Sequence, residues 1–199
     1  LNSELPEYLE TLIYNRPTFF VKEFTKNYFD YFSFNFLFLK GGTQYQFSVQ
    51  EHGLLYLINL PFLYFGIFLI IKRAKVNLNY RLLLTWLLLS PIPASITNEN
   101  FAVLRAMTML PLPQFFSALG VVTFVEWLEK FLGKKLWLNR DLIWISRKTA
   151  LYIAYILILV VSTEKYLTKY FGDYRKNYSW AWQYGYKQVV EYVKQNYDN

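Results

Sequence analysis

The stretch Leu54 to Ile71, LLYLINLPFLYFGIFLII, decides the fold, because it carries no charged residue from end to end. As an α-helix rising about 1.5 Å per residue it reaches about 27 Å, enough with snorkelling flanks for a hydrocarbon core of about 30 Å. Three further apolar stretches follow, Leu82 to Ile96, Ala106 to Phe124 and Thr149 to Ser162. The second and fourth are shorter and need their aromatic and polar borders to finish a crossing. A soluble core helix can also be apolar all round, but a hydrophobic content of 54% with such runs in succession favours the bilayer. The expected fold is all-α, a polytopic transmembrane bundle of about four helices. Residues 1–52 are expected as an outer-face loop with amphipathic helices, residues 53–163 as the membrane region, and residues 164–199 as a truncated outer-face segment.

Orientation follows from the connections, since Lys and Arg in short loops are retained on the cytoplasmic side. Lys72, Arg73, Lys75 and Arg81 crowd the first connection, and Lys130, Lys134, Lys135, Arg140, Arg147 and Lys148 the third. The second, Thr97 to Arg105, sets only Glu99 against Arg105. The expected location is therefore the cell membrane, multi-pass, with residues 1–52, 97–105 and 164–199 on the outer face. The opening segment lacks the basic and apolar regions of a signal peptide. A first residue that is Leu1, and an end at Asn199 inside a helical pattern, lead to the expectation of a piece of a longer chain whose earlier spans carry that segment across.

A net charge of +7 would be compatible with nucleic acid. Much of it sits in the two basic connections, where topology already requires it, so no nucleic-acid partner is expected. The absence of cysteine removes disulfides and thiolate metal sites, and one histidine cannot build a zinc site, so no metal site is expected in this chain.

Aromatic residues make up 21% of the chain and concentrate outside the spans. In FFVKEFTKNYFDYFSFNFLF, from Phe19 to Phe38, Val21, Phe24, Tyr28 and Tyr31 recur at helical spacing with charges between them. This pattern predicts an amphipathic helix that lies on the outer membrane surface or packs against its own domain. After the fourth span, Val189, Val190, Val193 and Tyr197 share a helical face, while Trp180, Trp182 and Tyr184 read as sugar-stacking rings, as an interfacial belt or as core packing.

Pro61, Pro91, Pro93, Pro111 and Pro113 fall toward one side of the expected membrane. A proline frees backbone carbonyls that lipid cannot satisfy, so these sites predict an outward-opening cavity lined by distorted helix ends, including Asn59, Pro61 and Gln114. Ordinary helix termination explains Pro91 and Pro93 equally well. Arg105, alone among basic residues in its loop, reads as a snorkelling residue or as a phosphate clamp. His52 is placed to donate to a phosphate or to cap and pack, and Lys40 is a second anion contact beside the turn made by Gly41 and Gly42.

Three stretches, SFNFLFLKGGTQYQFSVQEHGLLYLINLPFLYFGI, TNENFAVLRAMTMLPLPQFFSALG and YFGDYRKNYSWAWQYGYKQVVEYVKQNY, together resemble the later half of prokaryotic GT-C membrane glycosyltransferases. That group includes protein O-mannosyltransferases and the lipid A aminoarabinose transferase. The resemblance implies a polyprenyl-phosphate sugar donor, a protein, lipid or glycan acceptor, and a site on the outer face that holds the donor phosphate through Arg105, His52 and Lys40. Gly41 and Gly42 would border its cavity. The family's acidic catalytic residue, with any divalent metal, belongs to an earlier outer loop, so no catalytic residue and no cofactor is expected here and the segment is expected to be inactive alone. The family commonly has a histidine three residues before the arginine; here that position is Ala102. A transporter or flippase, or a non-catalytic assembly subunit, are the competing readings, the first predicting inverted repeats and mid-bilayer polar groups that are not visible.

Overall fold

A computed structural model describes residues 15–97, 99, 101–132 and 147–197. Among the described residues every regular element is helical. Lys134, Lys135 and Arg140 of the third connection lie outside them.

Helix α1, Arg16–Asp30, starts where Asn15 accepts a hydrogen bond from the Thr18 amide at 2.8 Å, with Pro17 in the first turn where a missing donor costs nothing. It packs against its own domain at one end only. Tyr28 donates to the Leu88 carbonyl at 2.8 Å, and the buried Tyr31 hydroxyl accepts from the Ala102 amide at 3.1 Å. At the other end Phe19, Phe20 and Val21 are exposed. A π-turn, Asn35–Leu39, then buries Phe36 between Tyr31 and Phe101.

A short 3-10 turn, Leu57–Asn59, leads into helix α2, Leu60–Ala74. Pro61 lies in its first turn and therefore begins the helix, without kinking it. Lys72 and Arg73 close it at the end where the helix dipole favours cations. Arg81 folds back to the Ala74 carbonyl at 2.8 Å, and helix α3, Leu78–Leu89, returns along α2. At 12 residues α3 is about 18 Å long, short of a full crossing. Its continuation stops at Ser90 and Pro91, and the four-residue α4, Ile92–Ser95, takes over.

The third apolar stretch is likewise divided. Helix α5, Val103–Ala106, with its 3-10 extension Met107–Met109, is bent by 48° from α6, Leu112–Leu132. Hydroxyls cover carbonyls around these breaks: Thr108 donates to Ser90, Ser95 to Pro91 and Ser117 to Pro113, all within 2.7 to 2.9 Å. The prolines thus mark helix ends whose neighbouring acceptors are largely satisfied within the protein.

Helix α7, Arg147–Lys169, is longer than the fourth apolar stretch, and within it the Ser162 and Thr163 hydroxyls donate to carbonyls one turn back. A π-turn, Tyr170–Tyr174, and the short α8, Arg175–Asn177, extend it. After the 3-10 turn Ser179–Trp182 comes α9, Tyr186–Tyr197, whose apolar face is exposed.

By length and composition two of these helical runs can cross a membrane, Leu57–Ala74 and Arg147–Asn177, and a third if the bent pair counts as one span. Among the described residues the chain is all-helical, with two to three candidate membrane-spanning helices.

The core lies between α2 and α6. A Cβ on Gly66 would stand 1.9 Å from the Phe116 carbonyl oxygen, and one on Gly120 would stand 2.0 Å from that of Phe62. Each glycine therefore meets the residue four places before the other glycine. The two helices thus approach to backbone contact, with Leu63, Ile70, Leu112 and Phe116 buried around it.

Candidate functional site

A cavity of about 430 Å³ opens where the chain enters α2. His52, Tyr56 and Asn59 line it from one side, Gln114 from the start of α6, and Thr163 and Tyr166 from α7. Three of the residues singled out in the sequence, His52, Asn59 and Gln114, therefore converge although 62 positions separate the first and last.

His52 is held from behind by the Gly41–Gly42 turn. Gly41 adopts φ +67, a left-handed conformation that favours glycine, and a Cβ there would lie 2.3 Å from the His52 carbonyl oxygen. A Cβ on Gly42 would collide with Val103. The Gly42 amide donates to Ser48 Oγ at 2.9 Å and its carbonyl accepts from Gln50 at 3.1 Å. The two glycines do not line the cavity; they allow the close packing that positions its wall. Pro61 is exposed in the first turn of α2 and does not line it either.

The other wall is set by a ladder of contacts running in opposite order along the two segments. Lys169 Nζ donates to the Gln50 carbonyl at 3.0 Å and pairs with Glu51 at 3.1 Å. Tyr166 meets the His52 ring edge-on at 5.5 Å. Tyr56 donates to Thr163 Oγ1 at 3.1 Å, and Tyr155 donates to Asn59 Oδ1. Going from residue 50 to 59 the partners descend from 169 to 155, so α7 returns antiparallel along the entrance to α2.

Burial, and then the ammonium of Lys169, hold the His52 imidazole below its ordinary value, against a smaller opposing effect of Glu51. His52 is therefore neutral at pH 7 and offers one donor and one acceptor, without charge. The cation that acts on His52 is Lys169, which lines a neighbouring recess with Glu51 and not the cavity itself, and which the sequence reading did not single out. The signal was present as a helical repeat, since Thr163, Tyr166 and Lys169 are three apart and follow one face of α7.

Arg105 sits elsewhere. Its guanidinium pairs with Glu99 at 2.9 Å, and Gln44 donates to the same carboxylate at 3.1 Å. The pair is about half exposed and does not line the cavity, so its Coulomb energy is screened. Lys40 is exposed and does not line the cavity. Of the three expected phosphate contacts the structure brings only His52 to the cavity. Among the described residues no cluster of three or more acids, histidines or cysteines is arranged to hold a metal.

Next to the cavity a shallow groove of about 410 Å³ runs along α7, lined by Ile156, Leu159, Val160 and Leu167 with Thr163, Glu164 and Thr168. Leu159 and Thr163 belong to both linings. A recess of mixed lining, with Phe47, Val49, Leu54 and Leu55 beside its polar groups, thus continues into an apolar track on a candidate spanning helix.

No protein-family model, curated protein or solved structure matches this chain.

Proposed function

We propose that the chain is the membrane-embedded later part of a GT-C-type glycosyltransferase and that its cavity seats the headgroup of a polyprenyl-phosphate sugar. The observation that carries this reading is the continuity of the cavity, where His52, Asn59, Gln114 and Thr163 supply polar groups, with the apolar groove on α7. A polyprenyl-phosphate sugar has the same division, an isoprenoid tail joined through phosphate to a hydroxyl-bearing ring.

The tail would lie along Leu159, Val160 and Leu167, where it trades contact with bulk lipid for contact with protein. The ring would enter among Asn59, Gln114 and Thr163, whose amides and hydroxyl match sugar hydroxyls in both donor and acceptor sense. Phosphate would draw on Lys169 once that side chain releases Glu51, with neutral His52 as a hydrogen-bond donor. In the transfer itself the bond between the anomeric carbon and the phosphate oxygen breaks, an acceptor oxygen bonds to that carbon, and the acceptor gives up its proton. Positive charge beside the departing phosphate lowers the barrier, an effect worth several kcal/mol in a preorganised site.

We infer further that the end holding residues 50–59 and 163–169 faces outward. Lys72, Arg73 and Lys75 lie at the opposite end of α2, and Arg147 and Lys148 at the opposite end of α7, which agrees with the retention of short basic connections in the cytoplasm. Four crossings follow if the broken segments around α3 and α6 each traverse the bilayer with their bends.

The test is retention of undecaprenyl phosphate by the detergent-solubilised protein, followed by native mass spectrometry. Retention that falls at least tenfold in Lys169→Met and in the groove-filling Leu159→Trp supports the reading. No retention, or retention equal in both variants and the parent, overturns it.

A further inference from the structure

A second recess, of about 270 Å³, lies beyond the end of α7 and shares no residue with the cavity described above. It is lined by Tyr170, Phe171, Arg175, Ser179, Trp182 and Tyr184. We propose that this recess binds a single sugar ring carrying one anionic substituent, such as a hexuronate or a sugar phosphate. The proposal stands independently of the polyprenyl-phosphate reading.

Two departures from regular backbone build it. Gly172, at φ −86 and ψ −110, breaks the helical run between Phe171 and Arg175, and a Cβ there would meet nothing within 4 Å. Gln183 adopts the left-handed conformation, at φ 57, between Trp182 and Tyr184. A non-glycine residue there is strained by about 1 kcal/mol or more, and such positions gather at ligand sites. Here the left-handed turn brings Trp182 and Tyr184, two residues apart, into one lining.

The chemistry of the lining narrows the ligand. Four aromatic residues supply apolar surface, yet three of them carry a hydroxyl or an indole N–H at the edge, which suits a ligand with an apolar face and a polar rim. Pyranose rings have that character. Arg175 makes no ion pair among the described residues, and its guanidinium offers a planar fork of donors matched to carboxylate or phosphate. Ser179 Oγ reaches the Lys176 carbonyl only at 3.5 Å and remains available to a sugar hydroxyl. The volume is slightly below that of pockets for drug-sized molecules, which is right for one ring. Phe171 and Tyr184 are largely exposed, so the recess is open to a ligand arriving from water.

The experiment is titration calorimetry of the detergent-solubilised protein with D-glucuronate, D-glucose 6-phosphate, D-glucose and benzoate. Binding of glucuronate or glucose 6-phosphate at least tenfold tighter than glucose is expected. Arg175→Gln should weaken it at least tenfold, Trp182→Ala likewise, and Trp182→Phe should retain most of it, with helical circular dichroism unchanged throughout. If a variant loses its helical signal, competition of the two anionic sugars for the parent's site, read from its tryptophan fluorescence, decides instead. Absence of binding by either anionic sugar, binding indifferent to Arg175→Gln and Trp182→Ala in folded variants, lack of competition, or benzoate binding as tightly as the sugars would each overturn the assignment.

Discussion

Helix α2 is joined to α6 and to α7 by opposite means. Against α6 it uses bare backbone, with Gly66 and Gly120 letting each helix touch the carbonyl of the other. Against α7 the contacts come from the segment that enters α2, residues 50–59, and run through polar groups, from Tyr155 on Asn59 to Lys169 on the Gln50 carbonyl. The difference is visible in burial: Leu63, Gly66 and Ile70 of α2 are buried, whereas α7 buries no residue at all. A glycine contact packs two helices permanently, since close contact over many atoms is lost as a unit when a methyl group intervenes. A ladder of separate hydrogen bonds leaves room between its rungs, and the candidate cavity lies there.

The strongest way to break this contrast is Gly66→Leu. The new side chain has no space against the Phe116 backbone, so the helices must separate and the protein should lose about 3 kcal/mol or more, read as a lowered midpoint of thermal unfolding in detergent. Tyr155→Phe addresses the ladder. It removes one rung and leaves the Asn59 oxygen without that partner, so the expected loss is about 1 kcal/mol, and a Tyr155→Phe/Asn59→Leu double-mutant cycle should show coupling. An equal loss from both substitutions would erase the distinction between the two contacts.

A pH titration sharpens it further. Because His52 titrates below its unfolded value, the unfolded chain binds more protons as the medium acidifies through the usual histidine range. Stability from this group is complete above about pH 6.5 and falls as pH drops below that, levelling off beneath the folded value. His52→Gln should flatten this part of the profile, while Gly66→Leu should lower the whole curve without changing its slope. The smallest effect is expected for Arg105→Ala. Its half-exposed pair with Glu99 is worth at most about 1 kcal/mol, and undecaprenyl phosphate retention should be unchanged. A large loss of retention would return Arg105 to the phosphate site.

The helical class and the apolar surfaces were legible because hydrophobicity is additive along a segment: Leu54 to Ile71 announces α2 wherever its neighbours go. Breaks were legible in kind and partly misread in consequence. Pro61 was expected to distort its span, but it lies in a first helical turn, where no donor is missed, whereas the interruption expected at Pro111 and Pro113 is present as the 48° bend. The second stretch was expected to continue to Ile96, and Ser90 and Pro91 end it early. Thr149 to Ser162 was expected to be short, and the helix runs on to Lys169 with the Ser162 and Thr163 hydroxyls satisfied on its own carbonyls.

What the amino-acid order determined alone was local: which segments coil, which faces are apolar, and where glycine or proline restricts the backbone. Those depend on neighbours within a few residues. Which groups share a cavity depended on the close contact of α2 with α6 and on the antiparallel return of α7, contacts between residues fifty to over one hundred positions apart. Arg105 was the sharper phosphate candidate in the sequence and His52 the lesser, and packing sent the first to Glu99 and the second to the cavity wall beside Lys169. A side chain's charge is set by its own chemistry, but its partner is chosen by whichever distant segment the fold brings within hydrogen-bonding reach.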